Sequence, residues 1–235
     1  GSSMMTTRLP KAAARATAQA VVAALWDGKA GRFADCTAYA EGQPPTASQH
    51  PAAVGLYHGL LDEPVRGAAL RSLTAPGLVR AESYFQHYVL QALARYGRAA
   101  DALAVLRDYW AQNAADDGDT IWEIHDAFAS VPEVCSAHSR CHAFSCAPLY
   151  FLQATVLGVR PLEPGFAVFT LAPFLGDLAE ARGAVPTPRG PIETAWRQSP
   201  GGGIAGDVVV PEGACGVTRD GTRYGPGRHR VAVRG

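Results

Sequence analysis

The stretch "DTIWEIHDAF" brings Trp122, Glu123, His125 and Asp126 within five positions, in a chain of which 18% of the residues are charged. A carboxylate within hydrogen-bonding reach of a water or a substrate can accept a proton as a general base. A histidine beside a carboxylate can titrate near neutral pH. These residue types therefore indicate acid/base chemistry, with Glu123 as the base.

The same stretch is also typical of a helix start. Thr120 is a good N-cap residue, and a glutamate three positions after it completes a capping box. Under this interpretation His125 and Asp126 only cap or solvate the helix. Trp122 is either the wall of a pocket or a core aromatic. The local sequence leaves both interpretations open.

Three cysteines, Cys135, Cys141 and Cys146, alternate with His138 and His142 in a pattern that superficially resembles a metal cluster. Their spacing lacks the C-x2-C pair that is typical of structural zinc sites. Free cysteines pack as small apolar side chains. We therefore expect no metal and no other cofactor, with buried and reduced thiols.

Composition and charge argue against two classes of partner. Lys and Arg total 21, Asp and Glu total 21, and the isoelectric point is near 7.2. The chain thus lacks the basic field that attracts nucleic acids or anionic membranes. Apolar runs such as 18–26 are shorter than the roughly 20 residues that span a bilayer, so we expect no membrane partner.

The N-terminal sequence "GSSMMTTRLPKAAARAT" contains no apolar signal core after its basic residues. "GSS" in front of two methionines is typical of a cloning remnant. Met4 or Met5 is then the expected native start, and the expected location is the cytoplasm.

Helical periodicity dominates the chain up to about residue 160. In "ESYFQHYVLQALARYG" apolar residues recur at helical spacing, and Gly97 follows as a stop signal. A second apolar stripe begins at once, so the two helices should form an antiparallel hairpin with a very short turn. Further helices are predicted over 9–26, 52–61, "DEPVRGAALRSL" and 147–157.

The pattern changes near Pro161, after which short β-branched runs alternate with Gly, Pro and Asp-Gly turn signals. The predicted fold class is mainly α with a β appendage. Residues 8–162 should form α-hairpins packed as a partial α/α barrel, and residues 163–235 a small antiparallel β-domain.

Six segments, read in order, resemble the C-terminal part of the bacterial α-L-rhamnosidases, glycoside hydrolase family 78. They are "LWDGKAGRFAD", "SQHPAAVGLYHGL", "ESYFQHYVLQALARYG", "TIWEIHDAF", "CHAFSCAPLYFLQATVLGVRPLEPGFAVFTLAP" and "GDLAEARGAVPTPRGPIETAWR". The resemblance implies a barrel of six helical hairpins followed by a β-sandwich. It also implies that the glutamate of the T-x-W-E motif is a general base and that the histidine of the following H-G-W-S-type motif lies in the sugar pocket. By motif these residues are Glu123 and His142.

The remaining candidates are substrate contacts: Trp122, Asp35, Gln49, Phe144, His125 and Asp126. Asp35 and Gln49 lie in loops that match the rim of the family's pocket, although both residue types also form turns. Phe144 belongs to "AFSCA", where the family has Gly-Trp-Ser-Ala-Gly after the histidine. A pocket-forming tryptophan is thus replaced, which predicts an altered sugar specificity. Without the resemblance, His142 is typical of a hydrogen-bonded structural histidine.

The family's general acid and its first acidic sugar-binding cluster belong to the first half of the barrel, which has no counterpart in this sequence. Inverting glycosidases need two carboxyl groups roughly 6.5–9.5 Å apart, and the motifs supply one. We therefore expect a small-molecule enzyme of altered activity, acting on a glycoside or on a repurposed biosynthetic substrate, as in a cyclisation step. The alternative is a non-catalytic module that binds a ligand or a partner protein.

Self-association is a further expectation. Roughly three hairpins leave two open sides on a barrel, and 48% of this chain is hydrophobic with a net charge of zero. Exposed apolar patches of this kind are unusual on soluble monomers, and the commonest solution is a two-fold homodimer. Alternatively, the β-domain or the loop over 35–51 covers the open side and leaves a monomer.

Overall fold

The computed structural model of the protein describes residues 11–37, 46–115, 120–123, 139–200 and 202–233. The helices of this part are α1 (Lys11–Leu25), α2 (His50–Tyr57), α3 (Val65–Ser72), α4 (Ser83–Arg95), α5 (Ala99–Tyr109), α6 (Ala111–Ala115) and α7 (Ala147–Phe151). The strands are β1 (Trp26–Asp27), β2 (Arg32–Phe33), β3 (Val168–Leu171), β4 (Glu180–Val185), β5 (Ile192–Gln198), β6 (Ile204–Val210), β7 (Cys215–Thr218), β8 (Arg223–Tyr224) and β9 (Gly227–Val233). No helix within these ranges has the length and apolar character needed to cross a bilayer.

Helices α4 and α5 form the predicted antiparallel hairpin. The apolar stripe of α4 is fully buried at Val89, Leu90 and Leu93, because side chains three and four positions apart share one helix face. The connection is short, and Gly97 adopts a φ of +77° in it. This left-handed conformation is the usual reason for glycine after a helix end. Helix α2 packs against the other side of α4.

The segment between α1 and α2 contains a small β-hairpin, where the sequence pattern predicted no strand. Strand β1 pairs antiparallel with β2, and the Trp26 and Phe33 rings meet edge to face with their centroids 4.9 Å apart. The Asp27 carboxylate accepts hydrogen bonds from the backbone N–H groups of Ala30 and Lys29, at 3.0 and 2.9 Å. These two bonds lower the pKa of Asp27.

The helix predicted over 147–157 begins as α7 and changes geometry at Leu152. Residues Leu152–Val156 form a π-helical turn, in which the Leu157 N–H donates to the Leu152 carbonyl oxygen at 2.8 Å. Gly158 ends the turn with a φ of +73°. A Cβ atom at this position would overlap the Ala172 carbonyl carbon and the Pro173 nitrogen, so the chain requires glycine here.

The strands form two sheets after the helices. Strands β4, β5, β6 and β9 form a four-stranded antiparallel sheet in that order, as predicted. Alternate residues of β5, including Ile192 and Trp196, are buried on one face. In the smaller sheet β3 pairs parallel with β7, so the prediction of a wholly antiparallel domain was wrong. The parallel pair forms because the long segment from 172 to 214 carries three strands of the other sheet before the chain returns.

One hydrophobic cluster joins helices and sheets. It extends from Leu56 and Leu90 in the helices to Trp196 and Val231 in the strands. The Trp196 indole N–H donates to the Leu157 carbonyl oxygen at 3.0 Å, which satisfies a polar group that is otherwise costly to bury. The four-stranded sheet is thereby fixed to the end of the helical region.

Candidate functional site

Glu123 lies where residues 120–123 run beside residues 139–142. Its backbone N–H donates to the Ser139 carbonyl oxygen at 2.9 Å, and the His142 N–H donates to the Ile121 carbonyl oxygen at 2.8 Å. The Glu123 Oε2 atom accepts a hydrogen bond from the Ser139 N–H at 3.1 Å. This pairing of two segments, rather than a helix, sets the direction of the carboxylate.

The alternative interpretation of this stretch as a capping box is not supported. Residues 120–123 are not helical, and the Thr120 hydroxyl donates to the Arg140 carbonyl oxygen at 2.5 Å. A capping threonine would instead accept a hydrogen bond from the N–H three residues later. The predicted helix start at Thr120 is therefore wrong, because the long-range partner at Arg140 uses the hydroxyl.

Two buried serines hold the main chain of Glu123. The Ser83 hydroxyl, at the start of α4, donates to the Glu123 carbonyl oxygen at 2.5 Å. The Ser145 hydroxyl, in the 3₁₀ turn Ala143–Ser145, donates to the same oxygen at 3.4 Å. Both serines are fully buried. Segments that are distant in sequence therefore position Glu123.

His142 faces the Glu123 side chain. Its Nδ1 atom lies 3.5 Å from Glu123 Oε2, and the side chains are 29% and 27% exposed. The pair is thus fixed by the fold and still open to solvent. A carboxylate in this setting can accept a proton from a bound water, and the imidazole can hold or release one.

Aromatic rings continue from His142 along α4. The His142 and Phe144 ring centroids are 4.0 Å apart, and those of Phe144 and Tyr84 are 5.5 Å apart. The Tyr84 and Tyr88 hydroxyls lie 3.5 Å apart, and this hydrogen bond raises the pKa of Tyr88. Exposed rings with hydroxyl groups at their edges suit a ligand that presents both apolar and polar surface.

His87 and His50 border this row of rings. The His87 ring lies 5.4 Å from that of Tyr150, and the His50 ring lies 4.3 Å from that of Phe85. Burial lowers the pKa of both histidines, because a low-dielectric environment disfavours the charged imidazole. This direction favours the neutral ring of both histidines at pH 7.

Trp122 packs against Arg140, whose guanidinium carbon lies 4.9 Å from the indole ring centroid. The ring is partly buried. The cation holds the 139–142 segment against the tryptophan. The structure therefore places Trp122 beside Glu123 as a supporting ring, and its contact with a ligand stays a prediction.

Asp35 and Gln49 make internal hydrogen bonds. The Asp35 Oδ1 atom accepts hydrogen bonds from the Ser48 N–H at 2.9 Å and from the Ser48 hydroxyl at 2.7 Å. The buried Gln49 amide donates to the Leu73 carbonyl oxygen at 2.7 Å and accepts from the Ala81 N–H at 2.9 Å. These bonds close the loop that ends in α2. No hydrogen bond among the described residues joins Asp35 or Gln49 to Glu123, and their role as ligand contacts stays a prediction.

Several sequence candidates lie outside the described residues, namely His125, Asp126, Cys135 and His138. Within the described ranges no group of three or more metal-binding side chains occurs. The prediction of buried thiols was wrong for Cys141, which is free and exposed. The Ser139 side chain bonds both backbone groups of Cys141, and this turn leaves the thiol at the surface.

Three serines of the site were not among the residues that the sequence indicated, namely Ser83, Ser139 and Ser145. Serine is common in turns and at helix starts, so the presence of these serines near the family motifs did not mark them as site residues. No local pattern distinguishes a serine that anchors a distant main chain.

Comparisons with known proteins identify a family model and solved structures that the chain resembles. Residues 158–217 match the family model described as the bacterial alpha-L-rhamnosidase C-terminal domain. A search of curated proteins found no match.

Three solved structures resemble the chain over most of its length. The GH78 family rhamnosidase of Bacillus sp. GL1 is 30% identical, with a TM-score of 0.70 over 81% of this chain and 21% of that chain. The α-L-rhamnosidase from Dictyoglumus thermophilum is 17% identical, with a TM-score of 0.71 over 96% of this chain and 28% of that chain. The α-L-rhamnosidase from Aspergillus terreus is 21% identical, with a TM-score of 0.64 over 80% of this chain and 24% of that chain.

The chain thus spans between 21% and 28% of the length of these relatives. The two relatives below 25% identity agree in fold, and the Bacillus enzyme adds similarity in sequence. Family model and fold together place this chain with the α-L-rhamnosidases of glycoside hydrolase family 78, as a relative of their C-terminal part.

Proposed function

We propose that the chain is a glycoside hydrolase-like enzyme in which Glu123 acts as general base beside His142, on a glycoside or on a repurposed small molecule. The observation that carries the proposal is the geometry of Glu123. Its carboxylate is held by the Ser139 N–H at 3.1 Å, lies 3.5 Å from His142 Nδ1 and stays 27% exposed. A general base must be within reach of a water or a substrate, and this exposure provides that access.

The proposed reaction begins with a water bound between Glu123 and the substrate. The water oxygen attacks the anomeric carbon while Glu123 takes a proton from this water. The bond between the anomeric carbon and the leaving group breaks in the same step. His142 orients the carboxylate. The exposed rings of Phe144 and Tyr84 provide a surface for the ring of the substrate. Among the described residues, Glu123 is the one carboxylate that contacts His142.

A site whose described residues supply a base and no second carboxylate should act only on substrates whose leaving group departs without a proton. We expect the purified chain to hydrolyse α-L-rhamnosyl fluoride slowly. We expect little or no hydrolysis of 4-methoxyphenyl α-L-rhamnoside, because its leaving oxygen needs protonation. Fluoride release and phenol release measure the two reactions. Efficient hydrolysis of the methoxyphenyl rhamnoside would show that an acid is present and contradict the proposal.

The second candidate is a non-catalytic module that binds a sugar-bearing ligand or a partner protein. The presence of a single carboxylate at the described site favours it. The two candidates differ in one result: saturable binding of L-rhamnose without any fluoride release identifies a binding module.

We further propose that α2, α4 and α7 form an arc of an incomplete α/α barrel, that the helical region ends near residue 162, and that the open side pairs with a second copy. On this side Leu149, Tyr150 and Leu152 form an apolar face in which each residue is between 39% and 58% exposed. Apolar area of this kind is usually covered. A second copy would cover the face symmetrically and could bring a carboxylate of its own to the site.

We also propose a cytoplasmic location for the protein.

Replacing both Leu149 and Leu152 with glutamate should abolish the dimer, because the added charges would be buried in the interface. Light scattering at several concentrations should give about twice 24.7 kDa for the native chain and 24.7 kDa for the variant. Leu162→Glu is the matched control, since Leu162 is as exposed as Leu149, at 58%, but lies outside the apolar face. A native mass of 24.7 kDa at all concentrations would rule out the dimer.

A further inference from the structure

A cleft of about 470 Å³ lies where the α4–α5 connection meets the strands, away from Glu123. Its lining includes the polar side chains of Thr155, Arg160, Gln198 and Arg219. Neither Glu123 nor His142 contributes to it. The cleft is therefore separate from the site of the proposed function.

The charges that line the cleft are of one sign. Arg160 and Arg219 contribute two guanidinium groups, and no aspartate or glutamate lines the cavity. The Arg160 side chain donates one hydrogen bond, from Nε to the Ala154 carbonyl oxygen at 2.9 Å, so its terminal N–H groups stay available. Arg219 lies exposed in the turn between β7 and β8. Within the described part of the chain, neither arginine forms an ion pair.

Asp220, next to Arg219 in the chain, does not neutralise this charge through a contact. Its Oδ1 atom accepts hydrogen bonds from the Thr218 hydroxyl at 2.6 Å and from the Thr222 N–H at 3.1 Å. These bonds hold the carboxylate within its own turn. Arg219 therefore lines the cleft, while the Asp220 carboxylate is hydrogen-bonded within the turn.

A buried hydroxyl in the cleft wall lacks a partner. Thr155 is 4% exposed, and its Oγ1 atom has no hydrogen-bond partner among the described residues. Buried hydroxyl groups are nearly always hydrogen-bonded, by protein, water or ligand. An orphaned hydroxyl in the wall of a cavity therefore indicates a polar group that enters from the cavity.

The rest of the wall is largely apolar. Phe174, Ile204 and Val233 are partly buried and line the cleft. The Gln198 amide donates to the Gly176 carbonyl oxygen at 2.9 Å, which leaves its Oε1 atom as an acceptor. Ligand sites typically combine such apolar walls with a few polar groups that orient the ligand.

We propose that this cleft binds a small organic anion, with its carboxylate or phosphate group between Arg160 and Arg219 and an apolar body against Phe174, Ile204 and Val233. Arginine pairs with the two oxygens of such groups through parallel N–H donors. A polar atom of the ligand reaches the Thr155 hydroxyl. Because neither Glu123 nor His142 lines the cleft, binding here is independent of whether the chain hydrolyses glycosides.

Titration of the full chain with phenyl phosphate, followed by backbone amide NMR in 0.15 M salt, tests the proposal. We expect saturable shifts confined to the cleft glycines Gly97, Gly176 and Gly203. Benzoate distinguishes a carboxylate from a phosphate site, inorganic phosphate should bind more weakly because it has no apolar body, and phenol should not bind. Absence of saturable binding by both phenyl phosphate and benzoate, or shifts spread over the whole surface, would overturn the proposal.

Arg219→Gln should weaken binding of the better anion by about 10-fold or more, because it removes a charged hydrogen-bond donor. This exposed side chain has no described hydrogen bond, so the fold should be unaffected. Thr155→Val should also weaken binding while it preserves the shape of the residue. Arg223→Gln is the control, since this exposed arginine lies in β8 but does not line the cleft. Equal weakening by Arg223→Gln and Arg219→Gln would show only a general charge effect and refute the site.

Discussion

Glu123→Gln should lower the hydrolysis of α-L-rhamnosyl fluoride by about 10²–10⁴-fold, which is the usual contribution of a general acid or base. Glutamine has the size of glutamate but cannot accept the proton of the attacking water. Its carbonyl oxygen can still accept the hydrogen bond that the Ser139 N–H now donates to Oε2 at 3.1 Å. The fold should therefore persist. Fluoride release at saturating substrate gives the rate, and circular dichroism verifies the fold.

A matched control for this experiment is Glu163→Gln. Glu163 is exposed and takes no part in the site around His142, so its replacement changes the charge alone. If Glu123→Gln retains the native rate, Glu123 is not the base. If it unfolds the chain while Glu163→Gln does not, the carboxylate has a structural role and the assignment fails.

Gly158→Ala should destabilise the chain by roughly 2–6 kcal/mol, as the sum of a strained backbone and an overpacked contact. Gly158 has a φ of +73°, which side chains disfavour. Its added Cβ would also overlap the backbone of Ala172 and Pro173, which cannot move as a flexible side chain can. These residues lead from β3 into the rest of the strands. Urea denaturation measures the free energy of unfolding.

Gly97→Ala separates the two contributions. Gly97 has a similar φ of +77°, but a Cβ there meets no atom within 4 Å. Only the left-handed backbone should cost free energy, at about 1–2 kcal/mol. The difference between the two variants then measures the contact at Gly158. Equal losses in both would show that this contact does not matter.

The proposals for Glu123 and for the arginine-lined cleft are independent of each other. Loss of fluoride hydrolysis in Glu123→Gln with intact phenyl phosphate binding is the expected combination. Failure of one proposal leaves the other standing, because the cleft lining contains neither Glu123 nor His142.

Local patterns in the sequence were sufficient to predict the helices and strands that bury one face against the rest of the protein. The apolar stripe of α4 and the stop at Gly97 predicted the α4–α5 hairpin correctly, because burial repeats with the helix period. The turn signals after Pro161 predicted the antiparallel sheet of β4, β5, β6 and β9 for a similar reason. The order of the motifs was also sufficient to recognise the family, which the Bacillus enzyme and the C-terminal family model support.

Only the tertiary structure decided the environment of Glu123. In the stretch from Thr120 to Glu123, a capping box and a catalytic-base motif contain the same residue types. The contacts that Glu123 makes depend on Ser83, which is 40 positions away in the chain, and on the pairing with Ser139. The parallel pairing of β3 with β7 and the exposure of Cys141 likewise depend on which distant segments meet. Contacts between segments so far apart leave no period in the local sequence, so residue spacing predicts the elements and the folded chain determines how they enclose the site.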